Sequence, residues 1–287
     1  MQIISQPNEL QCLCQQWRLS GQTIALVPTM GYYHSGHADL IAHARSLANK
    51  LVVSLFINPT QFGPNEDFAN YPKDHAKDQK IAEKLGCDVL FMPTAETMYT
   101  PDHDTWVEVP KLSQGLCGLL RPNHFKGVCT VVLKLFNLTA ATIAVFGQKD
   151  WQQQAILKKM VKDLNVPIQI VTRPTVREDD GLALSSRNVY LNEDERKQAP
   201  YLYQALKDAQ TLVLKGEKSV SCLCNYVLQQ WAQKIPLSTL DYLTVVDPET
   251  LTPLTQINGP ALMACAVRLG RARLIDNILL IPSNCQV

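Results

Sequence analysis

Apolar positions along the chain alternate between two periods. Leu10, Leu13 and Trp17 recur at helical spacing, so residues Asn8 to Arg18 are expected to form a helix. Thr23 to Val27 is a short apolar run that stops at Pro28, and Ala38 to Leu47 again has helical periodicity. Leu51 to Ile57 is almost continuously apolar and rich in β-formers, the pattern of a strand covered on both faces. Lys73 to Leu85 is polar and helix-compatible, closed by Gly86, and Cys87 to Met92 is another strand, stopped by Pro93. Trp106 to Val109 reads as a short strand and Val128 to Leu138 as a helix. Thr142 to Phe146 reads as a strand, followed by a helix from Asp150 to about Asp163, and Pro167 to Val171 is the fifth strand of the main set.

Strands alternating with helices imply a parallel sheet with right-handed crossovers, and in such sheets ligands bind beyond the carboxyl ends of the strands. Three polar turns fall at such ends: Met30 to His37, Asn58 to Gln61, and Gly147 to Gln153. After Thr172 the pattern changes. Arg173 to Asn188 is polar and turn-rich, a linker and functional loop. Leu191 to about Lys215 reads as one long helix opened by the capping signature Asn192-Glu-Asp-Glu, and Val220 to Lys234 as another. Leu240–Val246, Ala261–Leu269 and Arg273–Ile281 read as strands, with Gly270 and Arg271 at a hairpin. The expected fold is α/β: a Rossmann-like parallel-sheet nucleotide-binding domain over residues 1–175, then a smaller α+β domain over 176–287 that closes over the site.

Composition narrows the class. The 287 residues are 46% apolar and 18% charged with a net charge of +1, which suits a globular protein and argues against a face built for nucleic acid. No apolar run approaches the ~20 residues of a membrane span. The first residues show neither the basic nor the apolar region of a secretory signal. Nine cysteines with no Cys-x-x-Cys pair read as scattered reduced thiols of a cytosolic protein, a zinc site being the alternative.

Four groups of residues carry candidate chemistry. His34 and His37 flank Gly36 in a turn between strand and helix, where free backbone N–H groups and two imidazoles suit a phosphate. Metal binding would need further ligands at close spacing. Lys149, after Gly147, is a mobile positive charge, while Asp150 is either a ligand or the cap of the next helix. Gln61 and Gln153 each offer a donor and an acceptor to a substrate with hydroxyl and carboxylate groups. Ser185, Ser186 and Arg187 make an anion clamp, with Arg121, Lys126 and Arg177 as further basic candidates. Neither a Gly-x-Ser-x-Gly elbow nor a Walker-type loop occurs. Such a site would act by positioning and by neutralising developing charge.

Six motifs occur in a telling order: Pro28-Thr-Met-Gly-x-x-His-x-Gly-His37, Phe56-Ile-Asn-Pro-x-Gln-Phe62, Arg121-Pro-x-His-Phe-x-Gly127, Lys134-Leu-Phe-Asn137, Phe146-Gly-Gln-Lys-Asp-x-Gln-Gln153 and Asp180-Gly-Leu-Ala-Leu-Ser-Ser-Arg-Asn188. In this order they resemble the pantoate–β-alanine ligase family, within the wider His-x-Gly-His nucleotidyltransferases. The resemblance implies that pantoate is activated by ATP as an acyl adenylate, and that β-alanine then displaces AMP. It implies that Met30, Gly31, Tyr32, Tyr33, His34, Ser35, Gly36 and His37 line the ATP site. His37 is the residue most often assigned proton donation. Gly147, Gln148, Lys149, Asp150 and Val176 would contact nucleotide, and Leu184, Ser185, Ser186 and Arg187 would grip the triphosphate. Gln61 and Gln153 would hold pantoate, with Gln61 also bordering β-alanine. Mg²⁺ on the phosphates, with protein ligands unassigned, a homodimer and a cytoplasmic location are further expectations. Gln148 departs from the commoner Glu at its position. The loop Phe62 to Tyr71 is expected to form part of a lid that keeps water from the adenylate. The rival readings are another nucleotidyltransferase, an aminoacyl-tRNA synthetase, and a catalytically silent nucleotide-binding module.

Overall fold

Six parallel strands form the larger sheet of the computed structural model, which describes residues 1–64 and 66–283. The strands are β1 (Gln2–Ile4), β2 (Ile24–Thr29), β3 (Lys50–Leu55), β4 (Val89–Phe91), β5 (Ile143–Gly147) and β6 (Gln169–Arg173), in the order β1-β4-β3-β2-β5-β6. Strand β1 was not expected, because three residues are too few to show a period. Strand β2 runs through Pro28 instead of stopping there. Its pairing with β5 covers Ala25 and Leu26 only, so Pro28 lies past that ladder, where a missing N–H does little harm.

Helices cover both faces. On one, α1 (Pro7–Leu19), α7 (His124–Thr139) and α8 (Trp151–Asp163) pack with Ile24 and Leu26 of β2. On the other, α2 (Ser35–Leu47) and α3 (His75–Lys84) pack with the alternate residues Ala25 and Val27. Burial of both faces explains the unbroken apolar runs. Between β4 and α7 lie only the single turns α4 (Ala95–Met98), α5 (Pro110–Ser113) and α6 (Cys117–Leu120). The strand expected at Trp106 to Val109 does not form. The Val107 N–H instead donates to Thr130 Oγ1 at 3.1 Å, and Val107 and Val109 pack on the core as a loop.

The rest of the chain forms an antiparallel sheet of β7 (Ser238–Val246), β8 (Ala261–Leu269) and β9 (Ala272–Leu280), packed on α10 (Tyr201–Leu214) and α11 (Val220–Lys234). The β8–β9 hairpin turns at Gly270 and Arg271, as expected, with Leu269 paired to Ala272. The long helix expected from Leu191 is two helices, α9 (Glu193–Gln198) and α10, because Pro200 brings no N–H to continue the first. Among the described residues eight cysteines are unpaired, and no helix is long and apolar enough to cross a membrane. Cys285 lies outside the described residues.

Candidate active site

Strands β2 and β5 are neighbours, and the strand order changes direction between them. At their carboxyl ends the chain diverges and leaves a cavity of about 250 Å³. The three expected turns meet there. Met30, His34, Gly36 and His37 come from the first, Asn58 and Gln61 from the second, and Gly147, Lys149, Asp150 and Gln153 from the third. Val176, Leu184, Ser185, Ser186 and Arg187 add the fourth wall. A larger cavity of about 820 Å³, bordered by the hairpin arginines Arg268, Arg271 and Arg273, adjoins it and shares Lys149, Asp150, Gln153, Ser185 and Arg187.

The first turn is held from outside. Gly31 (φ +90°) and Tyr32 (φ +54°) take left-handed conformations. Asp78 of α3, with no solvent exposure, accepts the N–H groups of Tyr32 and Tyr33 at 2.7 Å each. A side chain at Gly31 would put its Cβ 3.0 Å from Asp78 Oδ2 and 3.1 Å from Leu55, so glycine is required there. The Tyr33 ring is buried beneath the site, its hydroxyl 3.1 Å from Thr29 Oγ1. Gly31, Tyr32, Tyr33, Ser35 and Gln148, all expected at ATP, are not among the residues that line the smaller cavity.

Helix α2 begins three residues earlier than its apolar pattern, so His34 is its N-cap and His37 lies in its first turn. His34 Nδ1 accepts the Gly36 N–H at 3.2 Å, and His37 Nδ1 lies 3.4 Å from the His34 N–H. The imidazoles thus form a reciprocal cap. With both Nδ1 atoms accepting, each neutral ring carries its proton on Nε2. Burial, then the nearby Lys149 and Lys77, pulls the His34 pKa down to about 4. Burial, then His34 and Lys149, takes His37 to about 3. At neutral pH the rings are uncharged N–H donors, and the positive charge beside them is that of Lys149.

In the second turn Asn58 orients Gln61. Asn58 Nδ2 donates to Gln61 Oε1 at 3.1 Å and to Gly127 O at 3.2 Å. Tyr99 OH donates to Asn58 Oδ1 at 2.9 Å. The Gln61 oxygen is thereby occupied, and its Nε2 donates one N–H to Met30 Sδ at 3.1 Å, which leaves the other for a substrate oxygen. Helix α7 approaches so closely that a Cβ on Gly127 would lie 2.4 Å from Thr60 O.

In the third turn Asp150 makes no side-chain cap to α8, so the capping role expected for it is not used, and its exposed carboxylate borders both cavities. Among the described residues Lys149 has no ion-pair partner. Gln153 lines both cavities.

In the fourth wall Ser185 accepts the Arg187 N–H at 3.3 Å. Ser186 Oγ lies 3.4 Å from Tyr32 O. The Arg187 guanidinium makes a two-pronged pair with Asp67 at 2.9 Å on both arms. Arg121 makes another with Glu66 at 2.6 and 2.5 Å, and Tyr190 OH donates to Asn70 O at 3.0 Å. The segment after Phe62 is therefore fastened on two sides. Lys126 and Arg177 do not reach the cavities. Lys126 pairs with Glu108 at 2.9 Å, and Arg177 pairs with Asp276 while lying on the Tyr203 ring.

Asp78 and Asp67 are missing from the sequence-derived site, and Asn58 entered it only as the start of a turn, without a role of its own. Asp78 is one of three acids among the lysines of 73–84 and Asp67 follows Glu66 in a polar loop, so neither signals its distant partner. Asn58 lies in a matched motif and opens a polar turn, but neither points to its bond with Gln61. Among the described residues no group of three or more His, Cys, Asp or Glu side chains could hold a metal ion.

The family model of pantoate-beta-alanine ligase matches residues 2–279. A pantothenate synthetase of Desulfovibrio desulfuricans is 63% identical over 280 residues, 98% of this chain and 99% of the relative. The crystal structure of a Thermus thermophilus pantothenate synthetase superposes with a TM-score of 0.93 at 41% identity, covering 98% of this chain and 100% of that one. A Francisella tularensis pantoate-beta-alanine ligase, described as complexed with beta-gamma ATP and beta-alanine, gives a TM-score of 0.78 at 32% identity, with 97% of each chain covered.

Proposed function

The chain belongs to the pantoate–β-alanine ligase family and is a ligase, and from that premise we propose that it joins (R)-pantoate to β-alanine in two ATP-driven steps. First, a pantoate carboxylate oxygen bonds to the α-phosphorus of ATP as the bond to pyrophosphate breaks, which yields pantoyl adenylate. Second, the β-alanine amine adds to the acyl carbon, loses a proton, and AMP leaves with the bonding pair. The Francisella relative, complexed with an ATP form and β-alanine, supports both substrates.

The observation that carries this reading is the single cavity holding the Asn58-oriented amide of Gln61, the two uncharged histidines and Lys149. Gln61 and Gln153 hold pantoate, and Gln61 borders β-alanine. Lys149 neutralises phosphate charge as pyrophosphate departs. His34 and His37 donate Nε2–H hydrogen bonds to the phosphates and keep their protons, a role consistent with their lowered pKa values. Met30, Gly36, Gly147, Asp150, Val176 and Leu184 surround the nucleotide. Ser185, Ser186 and Arg187 take the outer phosphates, which requires Arg187 to exchange Asp67 for phosphate oxygens. The loop from Phe62 to Tyr71 then acts as the lid, together with a C-terminal domain starting at residue 176. The available donors do not fit a resident metal, since Asp67 and Glu66 are engaged by arginines and Asp150 stands alone. Mg²⁺ enters with ATP as part of the substrate. A cytoplasmic homodimer completes the proposal.

Incubation with ATP, pantoate and β-alanine tests it. AMP formation should depend strictly on both organic substrates, and its absence would sink the reading. Lys149→Ala should cripple adenylate formation, and near wild-type turnover would remove Lys149 from the mechanism.

A further inference from the structure

Lys149 lies in a short 3-10 turn, Gln148 to Asp150, with no ion pair of its own among the described residues. Its backbone, by contrast, is held from the opposite sheet. Asn277 of β9 donates from Nδ2 to two successive carbonyls, Gln148 O at 3.1 Å and Lys149 O at 2.9 Å. A primary amide places two hydrogens on one nitrogen, which matches two adjacent acceptors.

Asn277 is anchored in turn. Its backbone N–H donates to Asp276 Oδ1 at 2.8 Å. Asp276 is 3% exposed and receives both arms of Arg177, at 2.7 and 2.8 Å. The Arg177 guanidinium lies 3.2 Å from the Tyr203 ring centroid. Arg177 directly follows Val176 of the cavity wall. A continuous set of hydrogen bonds thus runs from that wall, through the antiparallel sheet, to the carbonyl of Lys149.

We infer that Asn277, which also borders the larger cavity, is a positioning residue for adenylate formation: its amide N–H groups are given to the turn that aims Lys149, and it acts through that turn. This rests on the role proposed for Lys149. Two hydrogen bonds at one turn, each worth roughly a factor of two to ten, set the expected loss at about four- to a hundredfold in the first half-reaction. Aminolysis of supplied pantoyl adenylate no longer needs the departing pyrophosphate neutralised, so it should change less than threefold, roughly the lower limit for one such bond.

The test measures pantoate-dependent ATP–pyrophosphate exchange and aminolysis separately for wild type, Asn277→Ala, Lys149→Ala and the double variant. Exchange should fall in Asn277→Ala with aminolysis retained. In the Lys149→Ala background the Asn277 substitution should add almost nothing, because it acts through the group already removed. Unchanged exchange, an equal loss in both half-reactions, or losses that multiply in the double variant would each overturn the inference. If Asn277→Ala lowers the thermal midpoint so far that it cannot be assayed, the isosteric Asn277→Asp decides by the same criteria. Its carboxylate cannot donate to either carbonyl. Wild-type protein that makes no AMP from the three substrates would refute the ligase reading instead, which keeps the two failures apart.

Discussion

Asp78→Asn perturbs the support of the His34–His37 turn without changing its shape. The native carboxylate, fully buried, accepts two backbone N–H groups at 2.7 Å. Hydrogen bonds to a charged group contribute about 1.5–3 kcal/mol each. Asparagine retains one acceptor oxygen and turns an NH₂ group toward the second N–H, so one bond is lost and two donors face each other. The expected destabilisation is about 2–4 kcal/mol. The turn has no easy alternative, because Gly31 and Tyr32 already occupy left-handed conformations. Asp78→Ala loses both acceptors and should be worse. Reversible urea unfolding of the three proteins, combined with KM for ATP, reads both consequences. Stability should rank wild type, Asp78→Asn, Asp78→Ala, and KM for ATP should rise in the same order while KM for β-alanine moves little. If Asp78→Asn lies within about 0.5 kcal/mol of wild type, the range of an ordinary surface substitution, the turn does not depend on this carboxylate.

Three further outcomes are expected. His34 and His37 have folded pKa values of about 4 and 3, below the ordinary 6.5, so their contribution to stability is fully present above pH 6.5 and is lost as pH falls toward those values. Accordingly kcat/KM for ATP should show no histidine ionisation between pH 6 and 8, roughly the span in which an unperturbed imidazole titrates; a break near 6.5 that disappears in His37→Gln would contradict neutral donors. Gln61→Ala should raise KM for pantoate by about ten- to a hundredfold, the range for a lost hydrogen bond to a charged carboxylate, and leave KM for ATP nearly unchanged; equal effects on both would remove Gln61 from the pantoate contact. Asp67→Asn weakens the Arg187 latch, so hydrogen exchange of residues 66–71 should quicken in the free protein, and ATP plus pantoate should slow it in wild type. A loop whose exchange ignores both the substitution and the substrates is not a lid.

Much of the fold could be read directly from the order of residues. Helical and strand periods are set by neighbours two to four positions apart, so the eight strands other than β1, together with α2, α8 and α11, were legible to within a few residues. The three turns that meet at the cavity follow from the same alternation, because parallel strands bring their carboxyl ends to one edge. His34, His37, Lys149 and the Ser185–Arg187 loop stood out by chemical type and local spacing and Gln61 by the family motif, and all of them line the cavity. Local pattern failed where another part of the chain decided the outcome. Trp106 to Val109 has strand composition but no strand partner, and the apolar pattern of α2 gave no sign that two histidines cap it. The polar contacts lay furthest out of reach. Asp78 meets Tyr33 across 45 positions, Arg187 meets Asp67 across 120, and Asn277 meets Lys149 across 128. A hydrogen bond leaves no period in the sequence; it exists only once packing has brought donor and acceptor within 3 Å or so. Residue order thus settled the layers and the reacting groups, whereas long-range packing set their protonation, their aim and what holds them in place.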